Sequence, residues 1–359
     1  MIRKLPLINF RKIIRISPSQ FGALKNCTYR SILTESLERK PLLPVSASAS
    51  YGTVLHKMLE LISIGAVRSV ERFEEVFTAE IADMEKKLIA SGWHMLVPLY
   101  QHVKDFTMRK IMIRDQISPE RKTPFSDSVK QNRTEQWLVS NDGLVGGLVD
   151  LISERDDYVE IIDFKTGPVT DQVYSDARGT LLKEDYTDQL KLYAYLYFEQ
   201  KGRFPDQLSL IDIAKQKYVV KFSPEECIAI FAEAKQVLGR ANRAVETGVF
   251  FPNPTERNCR YCLYRPGCEV YLKTMVLGNP IGDLSGVLNT VLKSRNGNVG
   301  LLIDVDGREV SISDLPRDAF DDLLSCEGRK INVFNLRRKL NDYSYGTKVT
   351  TMIYEHTEK

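Results

Sequence analysis

The stretch VEIIDFKTG, residues 159–167, decides how this chain is read. It has the apolar run of a buried strand, yet it carries an aspartate and a lysine two positions apart. Successive side chains of a strand point to opposite faces, so Asp163 and Lys165 share one face while Ile162, Phe164 and Thr166 take the other. A buried pair of opposite charges is costly unless function demands it, and an ordinary ion pair at a strand end is the competing explanation.

The flanking sequence places this strand in a sheet. EQWLVSNDGLVGGLVDLISERDDYVEIIDFKTG (135–167) reads as a strand, a turn at Asn141-Asp142-Gly143, a second strand to about Ser153, a turn at Asp156-Asp157, and a third strand ending at Lys165. A two-residue loop at the second turn sets Asp150 across from Asp163, so two carboxylates face each other beside Lys165. Residues 184–201 look helical, 207–222 look like two strands joined at Lys215-Gln216, and Ser223 or Pro224 opens a helix to about Glu246. Upstream, 17–37 and 51–66 read as helices and 71–118 as a mostly helical region with breaks near Gly92 and Pro98. A hairpin, a helix and a returning strand give an α/β sandwich with a mixed central sheet.

Length and charge set the wider frame. A chain of 359 residues suggests two domains, or one large domain with an appendage. A formal charge of +3 is too small to prove nucleic-acid binding, so any such binding must be local. The start, MIRKLPLINFRKIIRIS, carries Arg3, Lys4, Arg11, Lys12 and Arg15 without an acid; it reads as a solvated or docked arm, or as a contact for a polyanion. Its polar breaks deny it the apolar core of an export signal. No apolar stretch approaches the roughly 20 residues that cross a bilayer, so no membrane association and a cytoplasmic location are expected.

Six cysteines in such a chain imply a reducing compartment without structural disulfides. CRYCLYRPGC places Cys259, Cys262 and Cys268 within ten residues around a turn at Arg265-Pro266-Gly267. Crowded thiolates repel unless a metal or cluster holds them, and Cys27 is the candidate fourth ligand, on the face of a helix capped by Ser17 or Ser19. Four thiolates suit zinc or a [4Fe-4S] cluster, and their spacing does not choose between the two. Cys227 and Cys326 have no such companions and read as core thiols.

Five separated motifs, in order over about residues 16–272, carry a resemblance. GGLVDLI (146–152), VEIIDFKTG and DQLKLYAYL (188–196) look like the active-site series of the PD-(D/E)XK nuclease superfamily, RecB-like branch, and YGTVLHKMLE (51–60) is similar to its histidine motif. SPSQFGALKNC (17–27) and NPTERNCRYCLYRPGC (253–268) resemble the iron-sulfur subset, which includes CRISPR-associated adaptation nucleases and AddB-type recombination subunits. The fold so implied is a restriction-endonuclease-like core with a mixed central sheet and a helical insertion. Hard oxygen ligands from Asp150 and Asp163 suit Mg2+ or Mn2+. The resemblance implies that His56 and the backbone carbonyl of Phe164 complete that site. Lys165 would orient or deprotonate the attacking water and stabilise the transition-state charge. Glu60, one turn beyond His56, would orient it, and the family pattern uses Gln189 and Tyr193 to contact DNA or to brace the lysine. The cysteines would form a structural [4Fe-4S] cluster stapling the two ends of the nuclease domain, with zinc as the alternative.

The expected activity is metal-dependent deoxyribonuclease action, as exonuclease, endonuclease or both, on single-stranded DNA or DNA ends in repair, recombination or antiviral defence, with a helicase or defence-complex protein as partner. A non-catalytic DNA-binding subunit, or a partner-guided nuclease acting on RNA, are the alternatives. Residues 283–359 have a different texture from the nuclease domain of 1–280, with Asn279-Pro280-Ile281-Gly282 as the linker. Their order, three strands with turns at Asn296-Gly297 and Asp306-Gly307, a short helix and two more strands, resembles a small all-β OB-fold barrel. Arg329, Lys330, Arg337, Arg338 and Lys339 would concentrate charge on its fourth strand, with Phe334 and Tyr343 available to stack on bases. A solvated strand face on a protein-docking domain is the competing reading.

Overall fold

The computed structural model describes residues 2–117, 131–155, 157–170, 182–295 and 297–356. Asp156 and Asn296, one residue of each of two expected turns, lie outside them. The chain opens with strand β1 (Ile2–Arg3) and helices α1 (Pro18–Asn26), α2 (Thr28–Ser36), α3 (Ala47–Ser63), α4 (Val70–Ala90), α5 (Leu99–His102) and α6 (Phe106–Arg114). Strands β2 (Gln131–Val139), β3 (Gly146–Arg155) and β4 (Tyr158–Lys165) follow, then α7 (Glu184–Lys201), β5 (Gln207–Asp212), β6 (Lys217–Val220) and α8 (Pro224–Thr247). Helices α9 (Glu256–Arg260) and α10 (Glu269–Leu272) flank the cysteine turn. The remainder comprises β7 (Leu284–Lys293), β8 (Val299–Val305), β9 (Arg308–Leu315), α11 (Phe320–Leu324), β10 (Lys330–Phe334), β11 (Arg337–Arg338), β12 (Ser344–Gly346) and β13 (Met352–Glu355). Among the described residues no helix is long and apolar enough to cross a membrane.

Two compact units emerge. The α/β unit contains Ile13–Lys25 and Ser46–Arg243; the β-rich unit contains Met1–Lys12, Asn26–Val45 and Ala244–Lys359.

In the α/β unit a five-stranded sheet runs β2-β3-β4-β5-β6, antiparallel except for β4 and β5, which are parallel and joined through α7. The central β4 is buried from Val159 to Phe164, as its apolar run dictates. Its hairpin with β3 closes on Arg155 opposite Tyr158 and continues to Leu151 opposite Ile162. Asp150 therefore begins the stretch where the ladder ends, next to Asp163. Helix α7 starts with Glu184 and Asp185 in its first turn, which the positive end of the helix dipole favours, and stops at Gly202 with φ +73°. Ser46 caps α3, its hydroxyl accepting from the Ala49 amide. Glycine at 52 lets α3 approach β4, since a Cβ there would lie 3.0 Å from Thr166 Oγ1.

The β-rich unit holds an eight-stranded sheet ordered β1-β13-β10-β7-β8-β9-β12-β11. Asp306 and Gly307, both at positive φ, turn β8 into β9. A core of Leu288, Ile303, Val310, Leu323, Ile331 and their neighbours fills one side. Of the two last strands expected from the sequence, that over 329–340 is divided into β10 and β11, and that over 346–356 is shortened to β13. Asn335, at φ +62°, ends β10, so Arg337 and Arg338 sit in β11 at the far edge of the sheet while Lys330 remains in β10. The basic residues are thus not gathered on one strand. Phe334 is fully buried against Tyr354, ring centroids 5.8 Å apart, and offers no face to a base. Tyr343 is exposed, and its hydroxyl accepts from Arg308 Nη1 at 2.6 Å. The basic N-terminus is docked: β1 pairs with β13, Arg11 pairs with Glu38 at 3.1 Å and Lys12 with Glu246 at 2.5 Å.

The expected helix over 17–37 is two helices. Cys27 is extended, φ −157° and ψ 97°, at the start of α2. The cause is at Asn26, whose carbonyl accepts from the side-chain amides of Asn253 and Asn258 at 3.1 and 3.3 Å. Cys27 consequently sits at a break rather than on a continuous helical face.

Candidate active site and cysteine site

Within the α/β unit, α3 supplies His56, β3 supplies Asp150, β4 supplies Asp163, Phe164 and Lys165, and α7 supplies Gln189 and Tyr193. His56 Nε2 lies 2.8 Å from Asp150 Oδ2, and the Phe164 amide donates to that same oxygen at 2.8 Å. On the other carboxylate, Gln189 Nε2 donates to Asp163 Oδ1 at 2.7 Å, and Lys165 Nζ donates to Gln189 Oε1 at 2.9 Å. Lys165 Nζ is also 2.6 Å from Asp163 Oδ2 as an ion pair, although that buried oxygen accepts no hydrogen bond of good geometry. The Tyr186 ring, with its centroid 4.2 Å from Nζ, covers the ammonium.

Electrostatics follow from this packing. Burial, then the neighbouring Asp150 charge, push the Asp163 carboxyl above the usual carboxylate range, with Lys165 and His56 pulling the other way. For His56, burial works against the imidazolium, but its hydrogen bond to Asp150 and the charges of Asp150 and Asp163 outweigh it, and its pKa is raised.

Gln189 and Tyr193 are buried, with their polar atoms engaged inside the unit. Gln189 spans Lys165 and Asp163, and the Tyr193 hydroxyl donates to the Leu148 carbonyl at 2.6 Å. Of their two expected uses, bracing describes this geometry. Glu60 is buried and pairs with Lys57 at 3.0 Å. A cavity of about 1020 Å3 opens beside His56, between α3 and the chain that follows β4. Arg109 lines it, donating from Nη2 to the Thr166 carbonyl at 2.8 Å, with its guanidinium 5.4 Å from the Tyr51 ring centroid. Nothing in its helical surroundings singles Arg109 out in the sequence.

Among the described residues, no three His, Cys, Asp or Glu side chains are spaced to grip a metal ion as they stand. At the acidic cluster His56 and Asp150 instead contact one another directly. The donor chemistry nonetheless fits a hard divalent cation: two carboxylates, an imidazole, and a buried Asp163 oxygen without a hydrogen-bond donor.

In the β-rich unit, Cys27, Cys259, Cys262 and Cys268 line one small cavity. Burial, with the other cysteines adding, pushes the Cys259 thiol up to about 12; burial does the same for Cys268, up to about 11. Burial likewise raises the Cys262 thiol, so these three cysteines favour the protonated form. Cys227 and Cys326 are buried elsewhere.

Between these cysteines lies a residue the sequence presented only as part of a turn. Arg265 is 2% exposed and Asp283 is fully buried; Nε donates to Asp283 Oδ2 at 2.6 Å and Nη2 to Oδ1 at 3.3 Å. The guanidinium also donates to the Cys262 carbonyl at 3.0 Å and to Asn335 Oδ1 at 2.6 Å, while the Tyr271 hydroxyl and the Asn335 amide donate to Asp283 at 2.7 Å each. A single buried network therefore ties the cysteine turn to the sheet of its own unit.

Residues 15–269 match the family model of the PD-(D/E)XK nuclease superfamily. Two curated relatives, both from Listeria, are each named as one subunit of an ATP-dependent helicase/nuclease. The protein from Listeria monocytogenes serotype 4a (strain HCC23) is 25% identical over 187 residues, covering 49% of this chain and 15% of its own. That from Listeria welshimeri serovar 6b is 24% identical over 191 residues, with the same shares. The chain thus spans about 15% of the length of these relatives. Neither carries the name of the AddB-type proteins that the cysteine motifs resemble. The crystal structure of SSO0001 overlaps 74% of this chain and 90% of its own at 11% identity and a TM-score of 0.30, too slight a likeness to bear on the fold.

Proposed function

Because the chain belongs to the PD-(D/E)XK nuclease superfamily, we propose that it is a metal-dependent deoxyribonuclease acting on single-stranded DNA or DNA ends, in repair, recombination or defence. The convergence of His56, Asp150, Asp163 and Lys165, drawn from three separate elements, is the observation that carries this proposal. Mg2+ or Mn2+, held by the two aspartates, His56 and the Phe164 carbonyl, would neutralise charge on the scissile phosphate and make a bound water more acidic. The chain's own residues do the rest. Lys165 is held by an ion pair with Asp163 and a hydrogen bond to Gln189, which leaves the ammonium N–H bonds to spare for a substrate oxygen or the attacking water. Tyr186 and Gln189 limit its rotamers, which keeps the ammonium aimed. Wild-type protein is expected to immobilise Mn2+ in electron paramagnetic resonance and Asp163→Asn is not; wild type that binds no Mn2+ would overturn the proposal.

The four cysteines hold a structural [4Fe-4S] cluster, with zinc as the alternative. Protein purified without oxygen should be brown and contain iron and sulfide; a colourless preparation with zinc alone reassigns the site. By analogy with the names of the two Listeria relatives, a helicase is the partner proposed for this chain. Residues 283–359 are proposed as an OB-fold-like module, following the nuclease domain of 1–280, that offers Arg337, Arg338 and Lys339 to a single strand. Any test of that module should use charge reversal at Arg337 and Arg338. Its deletion would also remove Asp283 and Asn335 from around Arg265.

A further inference from the structure

The α/β unit carries an exposed aromatic surface that the catalytic cluster does not use. Trp137, on β2, is 46% exposed, whereas the other tryptophan, Trp93, is 3% exposed and belongs to the core. Directly opposite Trp137 on β3 is Leu148, 50% exposed. Side chains opposite one another on neighbouring strands lie on the same side of the sheet and touch, so the two form a continuous apolar surface. The Arg15 guanidinium stands over it, 5.4 Å from the indole centroid, held there by a hydrogen bond from Nε to the Gly143 carbonyl at 2.7 Å. The neighbouring backbone is also anchored: Ile16 bridges to Val145, and the Tyr193 hydroxyl is bonded to the Leu148 carbonyl. Leu148 is two residues before Asp150 on the same strand, about 7 Å along it.

An exposed indole beside a tethered cation is the arrangement that takes a flat π-system carrying a negative charge. We propose that Trp137, with Leu148 and Arg15, is a stacking subsite for an unpaired nucleobase of the substrate strand, close to the phosphate that is cut. The Trp137–Leu148 surface beside Arg15 receives the base, and Arg15 meets the adjoining phosphate. A base in an intact duplex is already stacked on both sides and presents no face, so the subsite favours single strands over duplex. This inference rests on the nuclease proposal for its substrate, but the stacking itself needs no metal and no cleavage.

The test is fluorescence anisotropy of a labelled oligothymidylate in EDTA, on full-length wild type, Trp137→Ala, Trp137→Phe and Arg15→Gln, with cleavage arms in Mg2+ and in Mn2+. Trp137→Ala is expected to weaken single-strand binding about tenfold, with duplex binding unchanged, and Trp137→Phe to restore most of the loss. Arg15→Gln should weaken it roughly threefold. Equal affinity of wild type and Trp137→Ala, at unchanged melting temperature, overturns the subsite, as does wild type that binds no oligothymidylate. Loss of affinity in Trp137→Ala from a protein that cuts nothing in either Mg2+ or Mn2+ leaves the subsite standing and removes the nuclease proposal instead.

Discussion

Lys165→Ala is expected to cut DNA about a thousandfold more slowly than wild type. The size of the effect follows from where the ammonium sits. It is held between Asp163 and Gln189 and capped by Tyr186, which fixes it beside the two aspartates. The same substitution leaves Asp163 buried without its counter-charge, and the carboxyl then takes up a proton more readily, as burial already favours. Lys165→Gln, which retains bulk and a hydrogen-bond donor, is the companion variant. Both are to be assayed at saturating substrate after thermal melts show folded protein. Full cleavage by either variant removes Lys165 from the reaction.

Arg265→Leu is expected to destabilise the β-rich unit by about 3–5 kcal/mol, because it strands the fully buried Asp283 carboxylate. A loss of that size is a large share of the stability of an ordinary domain. The double variant Arg265→Met with Asp283→Leu should recover part of the loss, since neither charge is then left alone. Urea unfolding followed by circular dichroism reads both, and an unchanged midpoint in Arg265→Leu contradicts a structural role for the network. The cysteine turn should loosen with the sheet, because the Cys262 carbonyl loses its donor.

The α/β sheet was legible because its signals are local. The apolar run of β4, the glycine turn at Gly143 and the short loops of the two hairpins between them set strand order and register, and with them the approach of Asp150 to Asp163. What escaped were features decided by distant partners. The break at Cys27 depends on two asparagines more than 200 residues away, as separations of 227 and 232 show, and no propensity of residues 17–37 encodes it. The division of the strand expected over 329–340 turns on Asn335, a residue tolerant of positive φ, whose side chain is engaged by Arg265 and the Thr350 carbonyl. Burial of Gln189 was equally invisible, since its spacing from Tyr193 fits a DNA-facing stripe as well as a brace. Arg265 looked like a turn residue because its acid partner lies 18 residues on, past the expected linker.

The most direct measurement is single-turnover cleavage of an end-labelled single strand by the wild-type chain, with Mg2+ or Mn2+ and again after EDTA. Shortened labelled products with either ion and none in EDTA are the predicted outcome. Intact strand under every condition, or equal cleavage with the ions chelated, would contradict the assignment of His56, Asp150, Asp163 and Lys165 to phosphodiester chemistry.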